Sequence, residues 1–290
     1  MSYINMTKQD NVKKFTGLNR DISDKFYTRS NIVDICIKYI KTYIKIDKND
    51  LCIEPSAGNG SFINEIKKLS ENYIFYDIEP HNDNIIKQDY LTLNTDDIQT
   101  DNSKIHVIGN PPFGRQSSIA IKFIKKSCKF CDSISFILPR SFKKDSLKKH
   151  FPLNFHLIFE CVIPDNSFTI NNNIHNVKCI FQIWIKKNID REELVKYEPE
   201  YFKFVNKNDN HDISFRRVGV YSGKIDKNTE HKSTQSHYFI KFDKIINLDE
   251  KLILELNNIN FNCKNDTCGP KSISKQELIK EYNEHIKRSI

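Results

Sequence analysis

Hydrophobic positions fall into runs whose spacing alternates between that of helices and that of strands. From Ser30 to Ile44, the residues Ile32, Val33, Ile35, Cys36, Tyr39, Ile40 and Tyr43 recur on one side at helical spacing, which predicts an amphipathic helix. Leu51-Cys52-Ile53 is a short apolar run, followed by Glu54-Pro55-Ser56-Ala57-Gly58-Asn59-Gly60-Ser61-Phe62 and a helical segment from Ile63 to Leu69. That order is strand, glycine loop, helix. Further strands are predicted at Tyr73 to Tyr76, ending at Asp77, at Ile105 to Ile108 and at Ile134 to Leu138. Strands alternating with helices imply a mostly parallel sheet covered on both faces. Phe155 to Ile163 and Val177 to Ile185 are longer β-prone runs separated by an Asn-rich loop, as an antiparallel edge pair would be. Beyond about Asn188 the pattern weakens and turns polar, so residues 20–188 are expected to form the main domain and 189–290 a small C-terminal module.

Composition narrows the class. With 38% hydrophobic and 28% charged residues, the chain of 290 suits a globular α/β protein. It lacks any apolar stretch of about 18 residues, and Met1 to Asp10 lacks the basic-then-apolar pattern of a secretory signal, so a soluble, cytoplasmic protein is expected. Eight cysteines are scattered, several inside apolar runs, and read as reduced and structural. The pairs Cys128/Cys131 and Cys263/Cys268 have no nearby His and lie far apart, so no metal site is assigned. The net charge of +8 is concentrated: eleven Lys/Arg against three acids lie between Lys104 and Glu160. Such a segment suits either a polyanion-binding surface or a solvated lysine-rich face.

Two loops carry candidate chemistry. Gly58 and Gly60 follow a strand directly, where open α/β sheets bind ligands, and Asp77 ends the next strand where such folds place a ribose-binding carboxylate. The second loop, Gly109-Asn110-Pro111-Pro112-Phe113-Gly114, also follows a strand, and its two prolines remove two backbone donors. It is stiff and rich in acceptors. The Asn110 side-chain oxygen and the Pro111 carbonyl can take the two N–H bonds of a planar amino group while Phe113 stacks on the ring that bears it.

Residues Glu54 to Phe62 resemble the cofactor motif of amino-methyltransferases, and Asn110-Pro111-Pro112-Phe113 resembles their catalytic motif. Phe26-Tyr27-Thr28 is similar to the N-terminal motif of the gamma-type N6-adenine family, although Arg29 stands where proline often follows. Asp77 and Asp89 are supporting matches, and the likeness covers about residues 24 to 186. It implies a Rossmann-like class I methyltransferase sheet, mostly parallel with an antiparallel edge, and S-adenosyl-L-methionine as cofactor. It further implies that Tyr27, Thr28, Glu54, Ser56, Gly58, Gly60, Phe62, Asp77, Asp89 and Asn110 surround that cofactor. Asn110, Pro111, Pro112 and Phe113 would hold the target amine. The expected acceptor is adenine N6 of nucleic acid, DNA ahead of RNA. The alternatives are an RNA adenine or guanine-N2 enzyme, a protein glutamine methyltransferase and an inactive nucleic-acid-binding subunit. The last hundred residues, with Arg216-Arg217 and Ser236-His237-Tyr238-Phe239, suit either target recognition or a solvated β module, and a protein partner or homodimer stays open.

Overall fold

The structure, a computed structural model, describes residues 26–98, 103–170 and 173–289. The expected domain start at 20 and the reading of Met1 to Asp10 lie outside the described residues. In chain order, the elements of the first part are β1 (Tyr27–Thr28), α1 (Ser30–Tyr43), β2 (Leu51–Glu54), α2 (Ile63–Leu69), β3 (Asn72–Asp77), β4 (Ile86–Lys87), β5 (Ile105–Gly109), α3 (Ser118–Ser127), β6 (Ser133–Pro139), α4 (Asp145–Lys148), β7 (Phe155–Val162), β8 (Phe168–Ile170), β9 (Asn173–His175) and β10 (Cys179–Lys186). The second part adds β11 (Phe202–Val205), β12 (Ile213–Arg216), β13 (Ile225–Asp226), β14 (His237–Phe242), α5 (Glu250–Asn258) and α6 (Lys275–Ser289).

β2, β5 and β6 are buried at every position because helices cover both faces, which is why they read as continuous apolar runs. One face packs under α1 and α2 through Ile32, Cys36, Ile40, Ile63 and Ile66, and the other under α3 through Ala120, Phe123 and Ile124. The sheet runs β4-β3-β2-β5-β6-β10-β7, parallel except for β10, which pairs antiparallel with β6 and β7. This is the expected Rossmann-like class I sheet. The edge pair is interleaved, however: β10, later in sequence, takes the inner slot and β7 the rim. The Asn-rich connection also forms strands of its own. β8 pairs with β9 and with β1, placing Tyr27 opposite Thr169 and Thr28 opposite Phe168.

The C-terminal residues do more than the fading hydrophobic pattern implied. An antiparallel sheet ordered β11-β14-β12-β13 packs against α5 and α6 around its own apolar cluster, with Phe202, Phe215, Ile240, Leu256 and Tyr282 inside. The basic segment supplies the seam between this module and the parallel sheet. Lys144 Nζ donates to the Ser272 carbonyl at 2.7 Å and pairs with Glu277 at 3.2 Å, while Arg140 and Lys143 approach Asp266 at 3.7 and 3.8 Å. Lys148 pairs with Glu160 at 3.6 Å, and Lys126 donates to the Leu93 carbonyl. Much of what reads as a free polycationic stretch in the sequence is therefore engaged within the chain. Among the described residues, no helix is long and apolar enough to cross a membrane.

Candidate active site

The two loops singled out in the sequence meet at the carboxyl ends of β2 and β5, around a cavity of about 860 Å³. Gly58 adopts φ +55, a region few side chains tolerate, and a Cβ there would stand 3.0 Å from the Tyr27 ring. The bend aims the Gly58 N–H at Asp77 Oδ2 (2.7 Å), and the Glu79 N–H donates to Asp77 Oδ1 (2.8 Å). Asp77 is thereby fixed by two backbone donors, and each oxygen keeps lone-pair capacity for hydroxyls in the cavity. Asp89 is held by the Leu91 N–H at 2.9 Å on Oδ1. Glu54 lies beneath the loop, fully buried. Burial, with the charge of Asp77 second, holds its carboxyl well above the usual carboxylate range, and its Oε2 has no hydrogen-bond partner.

On the opposite wall, Asn110 follows β5 directly. Its Nδ2 donates to the Phe26 carbonyl and to Thr28 Oγ1, both at 3.2 Å. A carbonyl can only accept, so this pairing fixes which end of the amide is nitrogen. The Asn110 Oδ1 is then left buried with no partner. Phe113 lines the same cavity. Just beyond it Gln116 and Ser117 have φ of +53 and +64, two successive non-glycine residues in the left-handed region, where strain is typical of functional turns.

The residues expected at the site come together with one exception. Tyr27, Thr28, Glu54, Ser56, Gly58, Phe62, Asp77, Asp89 and all of Asn110, Pro111, Pro112 and Phe113 line the cavity. Gly60 does not; at φ +85 it turns toward α2, where a Cβ would stand 2.6 Å from Ile63 Cδ1. Its glycine serves a close packing contact. The sequence places Phe26 in the N-terminal motif but assigns no role to its carbonyl, which orients Asn110, and none to Lys122, which lines the cavity from α3. It also passed over His81, whose Nδ1 is 3.4 Å from the Tyr27 hydroxyl at the rim. A carbonyl and a lysine on an amphipathic helix carry no signature in the sequence.

The lining has four carboxyl groups, Glu54, Asp77, Glu79 and Asp89, against the single cation Lys122. That balance suits a cationic ligand bearing hydroxyls, an amino group and an apolar ring, and the volume lies within the roughly 300–1,000 Å³ of small-molecule sites. S-adenosylmethionine is a cofactor these residues fit. Among the described residues no cluster of three or more His, Cys, Asp or Glu could hold a metal ion. Burial pushes the Cys128 and Cys263 thiols up to about 12 and raises Cys131 well above its usual value.

Residues 61–189 match the family model of the EDM2 methyltransferase-like domain. No curated protein matches the chain. Among solved structures, the chain is similar to a candidate RNA methyltransferase from Pyrococcus horikoshii, at 15% identity and TM-score 0.45 over 60% of this chain and 93% of that one. It is also similar to a candidate class I S-adenosylmethionine-dependent methyltransferase from Listeria monocytogenes, at 15% identity and TM-score 0.42, over 58% and 64% of the two chains. A type I restriction-modification methyltransferase subunit from Streptococcus thermophilus aligns at 14% identity and TM-score 0.41, over 57% of this chain and 45% of that one.

Proposed function

We propose that this chain is an S-adenosylmethionine-dependent methyltransferase that modifies adenine N6 in nucleic acid, DNA ahead of RNA, with the target base turned out of its stack into the cavity. The observation that carries this reading is the buried, unpartnered Oδ1 of Asn110, a residue that lines the cavity together with Phe113. A buried acceptor without a donor is destabilising by about 1–3 kcal/mol, and an incoming N–H removes that penalty.

When bound, the cofactor supplies an electrophilic methyl group on a sulfonium. The chain's residues prepare the acceptor. Asn110 Oδ1 accepts one N–H of the amine and the Pro111 carbonyl the other, drawing both hydrogens from the ring plane and localising a lone pair otherwise delocalised into the ring. Phe113 stacks on that ring. The Phe26 carbonyl and Thr28 Oγ1 hold the amide nitrogen, which leaves the oxygen as the end of the amide free to accept. The spent proton leaves to water, and no covalent enzyme intermediate is needed. Residues 189–290 are assigned the choice of target.

The test is tritiated methyl transfer run in parallel on duplex DNA, single-stranded DNA, structured RNA and a protein extract, followed by nucleoside analysis. N6-methyladenine in DNA is expected. Label confined to RNA would change the acceptor, and label confined to protein would overturn the nucleic-acid assignment.

A further inference from the structure

A second cavity, of about 380 Å³, opens on the C-terminal sheet. Phe204 of β11 and Tyr238 of β14 stand with ring centroids 5.4 Å apart, edge to face. Lys275, at the start of α6, places its Nζ 4.5 Å from the Phe204 centroid and 5.8 Å from that of Tyr238, and Arg217 lies over Tyr238 at 5.3 Å. Lys207 adds another cation, and no carboxylate lines the cavity. The carboxylate of nearby Asp209 is engaged by the N–H and side-chain amide of Asn206.

Rings, cations and the lack of an anion select a ligand that is itself both aromatic and negatively charged. We infer that this cavity binds one unpaired nucleotide of a single-stranded nucleic acid, its base against Phe204 and Tyr238 and its phosphate between Lys275 and Lys207. The inference takes its substrate class from the function proposed above, but it does not depend on methyl transfer. The volume is at the low end for small-molecule sites, enough for a nucleotide and too little for a duplex. A duplex also keeps its base faces in its own stack and offers no ring to Phe204, whereas a single strand presents both face and phosphate. Lys275 is exposed, so its hold on the rings is weak and a base displaces it readily while its charge stays beside the phosphate. Two residues on, Glu277 pairs with Lys144, which sets the bound strand beside the seam with the catalytic sheet.

The experiment is fluorescence anisotropy with labelled 12-nucleotide DNA and RNA single strands and the matching DNA duplex, on the full chain. The wild type should prefer the single strands. Lys275→Glu, an exposed change that leaves the core intact, and Tyr238→Ala should each weaken single-strand binding roughly tenfold or more, with S-adenosylmethionine affinity unchanged. Lys275→Glu binding within about twofold of wild type, or a duplex bound as tightly as the single strand, would overturn the site. Methyl transfer to the same oligonucleotides separates the two readings. Strand binding lost in Lys275→Glu, with no methyl transferred by wild type, leaves this site standing and sinks the enzyme reading. Transfer with unaltered affinity in Lys275→Glu does the reverse.

Discussion

At the amino ends of the strands, Asp50, His106 and Ser133 are buried, as Glu54 is at the carboxyl ends, yet the two groups are treated in opposite ways. Asp50 accepts the N–H groups of Asp47 and Lys104 at 2.8 and 3.0 Å and meets His106 Nε2 at 3.2 Å, while His106 Nδ1 meets Ser133 Oγ at 2.7 Å. Every polar tip in that chain has a partner. Across the sheet, Glu54 Oε2 and Asn110 Oδ1 have none. A closed network in low dielectric rigidifies the fold; an orphan acceptor costs stability unless a ligand completes it. The histidine, serine and aspartate, which by residue type look the more catalytic, are the structural set.

Asn110→Ala should have the largest effect, lowering methyl transfer by about 10²–10³-fold as for loss of a transition-state hydrogen bond. Calorimetry should find cofactor affinity nearly unchanged. Activity kept within about tenfold would break the equation of orphan acceptor with function. Asp50→Ala should lower unfolding stability by about 3 kcal/mol, because it strips a buried network of its acceptor. Transfer per folded molecule should stay at the wild-type level, and a selective loss of activity would reverse the two roles. Asp77→Ala should weaken cofactor binding by about tenfold or more, read by calorimetry, since it removes charged acceptors and the anchor of the Gly58 turn.

The pH dependence of stability sharpens the contrast further. Burial holds the His106 imidazole below its ordinary value of 6.5, against the pull of Asp50. The unfolded chain therefore takes up a proton that the folded state resists, and stability falls as pH drops below about 6.5–7. For Asp50, burial pushes the carboxyl up, but the bonds from Asp47, His106 and Lys104 outweigh it and hold it below 3.8. Its contribution is present above that value and is lost only as pH falls through the lower, folded one. Urea unfolding between pH 5 and 8 (about the range where a histidine titrates) should show the decline, and His106→Gln should flatten it; an unchanged slope would remove His106 from the account. The smallest effect is expected from Lys143→Ala and Lys148→Ala, whose ion pairs are partly exposed. Each should shift stability by about 0.5 kcal/mol or less and leave the salt dependence of oligonucleotide binding as it was.

What the sequence disclosed depended on how local each feature is. The helix at Ser30–Tyr43, the strand-loop-helix around Gly58 and the loop at Asn110 are set by residues adjacent in the chain, and hydrophobic spacing and proline chemistry read them directly. The slot taken by β10 is a matter of strand order, which no local pattern encodes. The segment from Lys104 to Glu160 read as an open cationic surface because Asp266 and Glu277, which engage it, lie more than a hundred residues away. The C-terminal core was obscured for a related reason. Its strands are short, with apolar positions such as Phe202, Ile213 and Ile240 diluted among lysines and turns, so the cluster exists only after folding. Gly60 is a motif position where folding adds a second reason for glycine, the close approach of Ile63.

The interleaving of β10 also sets an order in time. Until residues 179–186 leave the ribosome, β6 is a bare rim of seven residues that are all buried in the finished fold, and β7 has no neighbour in the sheet to hold it. A nascent chain halted after β9 would therefore expose both an unpaired strand edge and apolar side chains, the combination that invites aggregation and chaperone capture. The last strand of the sheet to be synthesised is the one that joins β6 to β7, so this edge of the sheet can pair only once β10 is available.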